Sequence, residues 1–330
     1  MQYRTLGRTG AKLSLLGFGC GAVGGLMVRG APADQERAVA RALDAGINYF
    51  DTAAAYGNGA SETNVGRVLK ALKPEIFLST KFTIRAESRG DIAGAVQRSL
   101  EASLKRLGRD SVDLLQLHNR IAAGGDDRPL EAAVVLGEVV PALERLRQQG
   151  KIRFFGITAL GDAPALHKVV ESRAFDTAQI VYNLLNPSAA IAMPPKFPAQ
   201  DFVGLMSRAH AAGMGTIGIR ALAGGALSGS ETRHPIGIAN VAPIASGPDY
   251  RSDVGRAHAF DPVVKAGHAA SLAEAGLRFI IACDALTTML IGTSTLEQLE
   301  AAISAVEKGP LPPAALDMLP AIWRGVAGAG

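Results

Sequence analysis

Cysteine is nearly absent: the 330 residues hold only Cys20 and Cys283. They are far apart and lack metal-ligand spacing, so a disulfide framework or a zinc site is not expected, and reduced thiols in a cytoplasmic protein are. Aromatic residues make up 5% of the chain, and none interleave with the scattered Lys and Arg. No run of five like charges occurs, so the excess of 34 basic over 30 acidic residues does not describe a nucleic-acid surface. Long apolar runs are missing too. The most apolar late stretch, "GLRFIIACDALTTMLIG", is cut by Asp284, and the polar start "MQYRTLGRTGAKLS" has no apolar signal-peptide segment. No membrane partner is expected.

What is present is 48% hydrophobic against 19% charged, enough for a large core. Eight short apolar runs read as strands, at 13–19, 47–52, 75–82, 112–118, 152–158, 177–183, 215–220 and 287–293. Amphipathic segments alternate with them. In the first, 33–46, Asp34 or a neighbour is placed to cap the helix and Gly46 to stop it. Strict alternation implies parallel strands with right-handed crossovers, and eight units close into a (β/α)8 TIM barrel. With no break in composition, residues 1–330 are expected to form one barrel domain. Two additions exceed a minimal barrel. The first residues read as an N-terminal β-hairpin turning at Gly7–Gly10 and covering the barrel's N-terminal end. A long Gly- and Pro-rich insert follows strand 7, and an insert of that length in a compact domain is usually functional.

Chemistry in such a barrel gathers at the C-terminal ends of the strands. "NYFDTAAAYGNGASE" ends a strand on Asp51 and places Tyr56 in the loop beyond; Lys81 and His118 end the next two strands. A phenol with a reference pKa near 10 shuttles protons poorly at neutral pH. An ammonium within about 4–6 Å would lower that value, and Asp51 would hold Lys81 protonated for the purpose. Lowering Tyr56 by two or three units is the expectation, with His118 orienting a substrate oxygen or helping to move the proton.

"FDTAAAYGNGASE", "LSTKF" and "DLLQLH", in order and on successive strands, resemble the signature of the aldo-keto reductases, and the likeness runs from "LGFGCG" to "LIGTSTLEQLEAAI". The resemblance implies metal-independent hydride transfer between a nicotinamide cofactor and a carbonyl or alcohol. Tyr56 matches the general acid/base, with Asp51, Lys81 and His118 as partners. The late loops look like the bacterial sugar and pyridoxal dehydrogenase-like branch, which implies a sugar-like or bulky cyclic substrate.

"GCGAVG" at 19–24 satisfies G-x-G-x-x-G, but no helix is expected to open directly after it, as a Rossmann fingerprint would require. It reads instead as a mobile loop at the barrel mouth. The family resemblance places the nucleotide near Gly19, Cys20, Gly21 and Asp51, then Thr158, Gln179, Arg220, Ala221 and Leu222, and finally Gly292, Thr293, Ser294 and Gln298. Many members carry Ser-Asn at Thr158-Ala159 and an aromatic at Ile219. Family habit slightly favours NADP(H). The lack of Lys or Arg in "GTSTLEQL" leaves NAD(H) open, although a helix N-terminus with hydroxyls can hold a phosphate.

The substrate is expected among Met27, Val28, Tyr56, Phe82, His118 and Asn119, walled by loop 119–129 and by the insert with His234 and Tyr250. Two other readings stay open. One is a Schiff-base lyase using Lys81; the other is a non-catalytic nucleotide-sensing regulatory protein of the same fold. The sequence assigns no oligomeric state.

Overall fold

A computed structural model describes residues 1–123 and 129–328. Eight parallel strands close into a barrel: β3 (Leu16–Gly19), β4 (Tyr49–Asp51), β5 (Phe77–Phe82), β6 (Val112–Leu117), β7 (Ile152–Thr158), β8 (Thr177–Val181), β9 (Gly215–Ile219) and β10 (Thr288–Ile291), with β10 pairing back onto β3. The expected (β/α)8 barrel is therefore present; β7 matches its apolar run, the other strands are shorter than theirs, and the first run, 13–19, is split between a hairpin strand ending at Ser14 and β3. A separate antiparallel hairpin, β1 (Tyr3–Thr5) and β2 (Lys12–Ser14), precedes it.

The hairpin plugs one end. Leu6 and Leu13 pack on Tyr49, Phe77, Leu114, Ile217 and Leu290, which line the inside of the barrel. Gly7 has φ +47, and a Cβ there would stand 2.4 Å from the Gly215 nitrogen, so only glycine permits this close approach. The larger core lies outside the barrel, between the strands and the helices.

The helices in chain order are α1 (Leu26–Arg29), α2 (Pro32–Asp44), α3 (Ala60–Leu72), α4 (Ile92–Leu107), α5 (Ala132–Val134), α6 (Val140–Gln148), α7 (Ala163–Glu171), α8 (Leu205–Ala211), α9 (Tyr250–Ala257), α10 (Asp261–Lys265), α11 (Leu272–Ile281), α12 (Leu296–Glu307) and α13 (Pro313–Gly328). In α2 the cap is Ala31, with Pro32 opening the helix; Asp34 sits inside the first turn, paired with Arg37, and is not the cap. Gly46 does stop it. At φ +80 its N–H reaches the Leu43 carbonyl while the Ile47 N–H reaches Ala42, the bonding of a Schellman motif. A π-helical turn, Val135–Val139, leads into α6 just before Pro141, whose ring nitrogen cannot donate.

Two expectations need correction. A helix does open soon after "GCGAVG": α1 begins at Leu26, behind Gly25 at φ 88. It is one turn long, its Leu26 N–H is taken by the Thr293 carbonyl, and it packs against a closed barrel, so it is no dinucleotide fold. The insert after β9 is not one irregular loop. It opens with 3-10 turns over Ala223–Ser228 and ends in α9, a further 3-10 turn and α10. Among the described residues no helix is long and apolar enough to cross a membrane.

Leu13 is 1% exposed in the plug, at the opposite end from the catalytic candidates. Leu13→Ala is expected to cost about 2–5 kcal/mol in a denaturant melt. Ligand affinity at the other end should not change.

Candidate active site

Period-two alternation decides what enters the barrel. On β5, Phe77, Ser79 and Lys81 point inward, whereas Leu78 and Phe82 join the outer core. On β4, Tyr49 and Asp51 point inward and Phe50 outward. The strand register sets Asp51 beside Ser79, and Lys81 beside Gln116. A polar layer therefore lies directly above the apolar plug.

Lys81 and Asp51 are 1% and 3% exposed and form an ion pair. An ion pair taken this far out of water persists only when its remaining hydrogen-bonding capacity is met. The Lys81 ammonium also donates to the Thr52 carbonyl at 2.9 Å and to the Tyr56 oxygen at 3.1 Å. The second Asp51 oxygen accepts from Ser79 at 2.5 Å, Gln179 at 2.8 Å, Gln116 at 3.2 Å and Tyr49 at 3.4 Å. Burial pulls the Lys81 pKa down, but the Asp51 carboxylate, with the Tyr56 oxygen accepting beside it, outweighs burial and leaves it above the ordinary value. Lys81 is held as an ammonium.

Tyr56 rides on a tight loop. Gly57, Asn58 and Gly59 all have positive φ, at 61°, 52° and 91°. A Cβ on Gly57 would run into Val28, and one on Gly59 into the Arg106 side chain. Beyond the loop, Ser61 bonds to Thr52 at 2.8 Å and donates to the Cys20 carbonyl at 2.8 Å. Glu62, fully buried, pairs with Arg106 of α4 and accepts from Thr80 at 2.5 Å. Thr80 points outward one residue before inward-facing Lys81. The segment Asp51–Glu62 is thus fastened at both ends to adjacent residues of β5, with Tyr56 between them.

The Tyr56 oxygen accepts the Lys81 N–H, and no acceptor for its own hydrogen is found among the described residues. Its pKa corrects the sequence expectation. Burial raises it, Lys81 opposes that, Asp51 adds to it, and the net direction is upward. The phenol stays protonated. His118 stands edge-on to the Tyr56 ring, centroids 5.8 Å apart. Burial and the Lys81 charge push its pKa down to about 3, so the imidazole is neutral.

Asp51, Tyr56, Lys81 and His118 are therefore brought together at one barrel mouth. Gly21 joins them, since a Cβ there would lie 3.7 Å from the Tyr56 ring. Gly19 lies against the Ile291 carbonyl, and Cys20 is buried, its thiol pushed up in pKa chiefly by burial. Thr158, ending β7, and Gln179, in the middle of β8, are buried and bonded to each other at 3.4 Å, with the Gln179 amide directed onto Asp51. Ala221 is buried and Leu222 partly so, beside Arg220 just past β9.

Gly292 is exposed at the start of the last loop, followed by buried Thr293 and Ser294. The Ser294 hydroxyl donates to the Gly24 carbonyl at 2.6 Å and its N–H to Gln298 at 2.7 Å, while Thr295 caps α12. Of the pocket candidates, Val28 packs on Gly57, but Met27 and Phe82 are each 1% exposed, in the core outside the barrel. Asn119 faces away from His118 by the same alternation and clamps both backbone groups of Ile84 at 2.8 Å. Tyr250 turns onto Ser230 and Arg233 instead of the mouth, and His234 is exposed. Positions 124–128 of the expected loop wall lie outside the described residues.

Sequence reading missed Ser79, Gln116, Tyr49, Glu62 and Arg106. Ser79 and Tyr49 could have been found by counting back in twos from Lys81 and Asp51. It also missed that the insert forms a strap across the β3–α1 loop. Arg29 donates to the carbonyls of Ile236 and Ala22, and Arg233 to those of Ile238, Gly224 and Val23.

The chain matches a model described as the aldo/keto reductase family over residues 15–324. It is 38% identical over 163 residues to L-galactose dehydrogenase of Arabidopsis thaliana, covering 48% of this chain and 49% of that protein. An uncharacterized oxidoreductase of Bacillus subtilis is 27% identical over 93% of this chain and 91% of its own. An aldo-keto reductase from Bacillus halodurans in its holo form superposes with a TM-score of 0.72 at 25% identity, covering 100% of this chain and 97% of that one. The chain spans about half the length of the first of these curated relatives and nearly all of the second.

Two outcomes follow from the geometry. Arg106→Met leaves the Glu62 carboxylate buried without its cation, so a denaturant melt should show a loss near the lower end of about 3–5 kcal/mol. For His118, folding lowers the pKa, so the unfolded chain binds the extra proton and stability falls as pH drops below about 6.5. NMR of the folded protein should show no His118 titration between pH 5 and 8.

Proposed function

Since this chain belongs to the aldo/keto reductase family, we propose that it is a nicotinamide-dependent oxidoreductase interconverting a carbonyl compound and its alcohol, with Tyr56 as proton donor and acceptor. The observation that supports this most is the state of Tyr56. Its oxygen is held by a buried ammonium, its hydrogen is unclaimed, and a neutral imidazole stands beside it.

The site suits a nicotinamide dinucleotide at its reacting end. Gly21 leaves open the space beside the Tyr56 ring that a side chain would fill. Thr158, Gln179, Ala221 and Leu222 would hold the nicotinamide end. Gly292, Thr293, Ser294 and Gln298 would hold the far end, with Gln298 giving up its bond to the Ser294 N–H. Such a cofactor supplies or accepts hydride at the reacting carbon. His118, neutral and without a side-chain hydrogen bond among the described residues, orients the substrate oxygen. Tyr56 donates its proton to that oxygen in reduction, and Lys81 stabilises the phenolate that remains. Asp51 keeps Lys81 in place and charged.

NADP(H) is favoured over NAD(H), as family habit has it. The last loop lacks cations, but Arg29 of α1 and Arg233 of the strap stand where the strap meets the β3–α1 loop, and strap residue Gly237 lies against Ser294 of the last loop. The Schiff-base reading is disfavoured because Lys81 is an engaged ammonium with a raised pKa, the opposite of an activated amine nucleophile.

Tyr56→Phe tests the assignment. Removing a general acid typically costs about 10²–10⁴-fold in rate, here with the affinity for NADPH unchanged in a fluorescence titration. Near-normal turnover would show that another group moves the proton. The upward shift of Tyr56 fixes the pH behaviour. Carbonyl reduction should stay level through neutrality and fall only above pH 10, as the donor loses its proton, while alcohol oxidation should climb over the same range.

A further inference from the structure

Tyr56 is placed by what holds its loop at the far end, not by the loop itself. Gly57, Asn58 and Gly59 follow it, all at positive φ, and a stretch with two glycines has little stiffness of its own. Among the described residues the phenol oxygen makes one side-chain hydrogen bond, accepted from Lys81 at 3.1 Å. The backbone is caught where the loop turns into α3. The Ser61 N–H donates to the Tyr56 carbonyl at 3.2 Å. The Ser61 hydroxyl bonds Thr52, just past β4, and donates to the Cys20 carbonyl, just past β3, each at 2.8 Å. Glu62, the next residue, accepts from outward-facing Thr80 of β5 at 2.5 Å, and Arg106 of α4 closes on its other oxygen at 2.6 Å. Two consecutive residues thus join the Tyr56 carbonyl to the exits of β3 and β4, to β5 and to an outer helix.

Two glycines admit Arg106 to this junction. A Cβ on Gly59 would stand 2.7 Å from the Arg106 Cδ, and one on Gly66, inside α3, 2.7 Å from the Arg106 carbonyl oxygen. Glycine in mid-helix weakens a helix, so α3 gives up helical preference at the point where α4 delivers the guanidinium. Stability alone does not account for the arrangement. Glu62 is 0% exposed while the Arg106 side chain keeps 30%, so the carboxylate is the more fully desolvated partner. A buried ion pair is often no more stabilising than apolar side chains of the same volume. What it adds is direction: a carboxylate fixed at 62 fixes the start of α3, and through Ser61 the carbonyl of Tyr56.

We propose that Glu62 and Arg106 are positioning residues for the proton transfer assigned to Tyr56: acting through Ser61 from outside the barrel, they set where the phenol stands against Lys81, and their loss slows the chemical step without weakening ligand binding. This rests on the oxidoreductase reading above and extends its machinery to a helix on the outer layer. Misplacing a reacting group by about 1 Å can cost on the order of 10²-fold in rate.

The test follows single-turnover oxidation of bound NADPH by two probe aldehydes, 4-nitrobenzaldehyde and butanal, in the wild type, Glu62→Gln, Arg106→Met and Arg106→Lys, each below its melting range. Leu13→Ala is the control, since it destabilises the fold from the opposite end of the barrel. Glu62→Gln and Arg106→Met should slow the turnover by roughly ten- to a hundredfold, with aldehyde KM and NADPH affinity retained. Arg106→Lys, which keeps the charge without the planar fork, should recover part of the loss seen in Arg106→Met. A second readout needs no turnover. With tyrosine labelled by 13C at Cζ, the Tyr56 resonance, assigned by its disappearance in Tyr56→Phe, should shift or split in Glu62→Gln and Arg106→Met and stay in place in Leu13→Ala. The proposal is overturned if the rates fall no further than in Leu13→Ala, if they fall while the Tyr56 resonance is unchanged, or if the loss is confined to KM or NADPH affinity. A wild type that oxidises no NADPH with either aldehyde contradicts the oxidoreductase reading instead, and the Tyr56 resonance then decides separately whether the anchor places the phenol.

Discussion

An ammonium buried against a carboxylate inside a closed barrel is the constraint on which the rest of this site depends. Lys81 and Asp51 sit where neither could stay charged alone, and the surrounding donors exist to make their burial tolerable. Ser79, Gln179, Gln116 and Tyr49 all converge on one Asp51 oxygen, leaving the other for Lys81. With its carboxylate so held, the ammonium has a fixed direction, and its remaining N–H reaches Tyr56. The phenol takes its charge partner from Lys81, and the direction of that partner from an Asp51 carboxylate to which it makes no hydrogen bond.

Position is fixed a second time from outside the barrel. Alternation on β5 turns Lys81 inward and Thr80 outward, and the segment that begins at Asp51 returns at Glu62 to bond that outward threonine. Arg106 of α4 closes the second anchor and packs over Gly59. The Tyr56 loop, with its run of left-handed residues, is therefore stretched between two buried ion pairs, one on each face of a single strand. Across the mouth, the strap brings a different kind of order, with arginines stapled to backbone carbonyls.

Much of this was legible in the sequence. Eight apolar runs alternating with amphipathic segments forced a parallel closed barrel, and polar residues ending consecutive strands had to meet at its mouth. Asp51, Tyr56, Lys81 and His118 were readable because strand ends in a barrel are neighbours whatever their sequence separation. Phe82 and Asn119 were misplaced because each sits one residue from an inward-facing group, and alternation sends it outward. The direction of the Tyr56 shift was misjudged because charge attraction can be read from residue types, whereas desolvation depends on burial that only the folded structure provides. Glu62–Arg106 and the strap staples are contacts between distant segments, and no local pattern announces them.

The most direct test of hydride transfer uses NADPH carrying deuterium at C4 of the nicotinamide, incubated with the protein and the aldehydes, the alcohols being read by mass spectrometry. The account requires one deuterium on the carbinol carbon of the product, appearing with one of the two stereospecifically labelled cofactors and not the other. Carbonyl consumed without label from either, or consumed equally when no nucleotide is present, would contradict it.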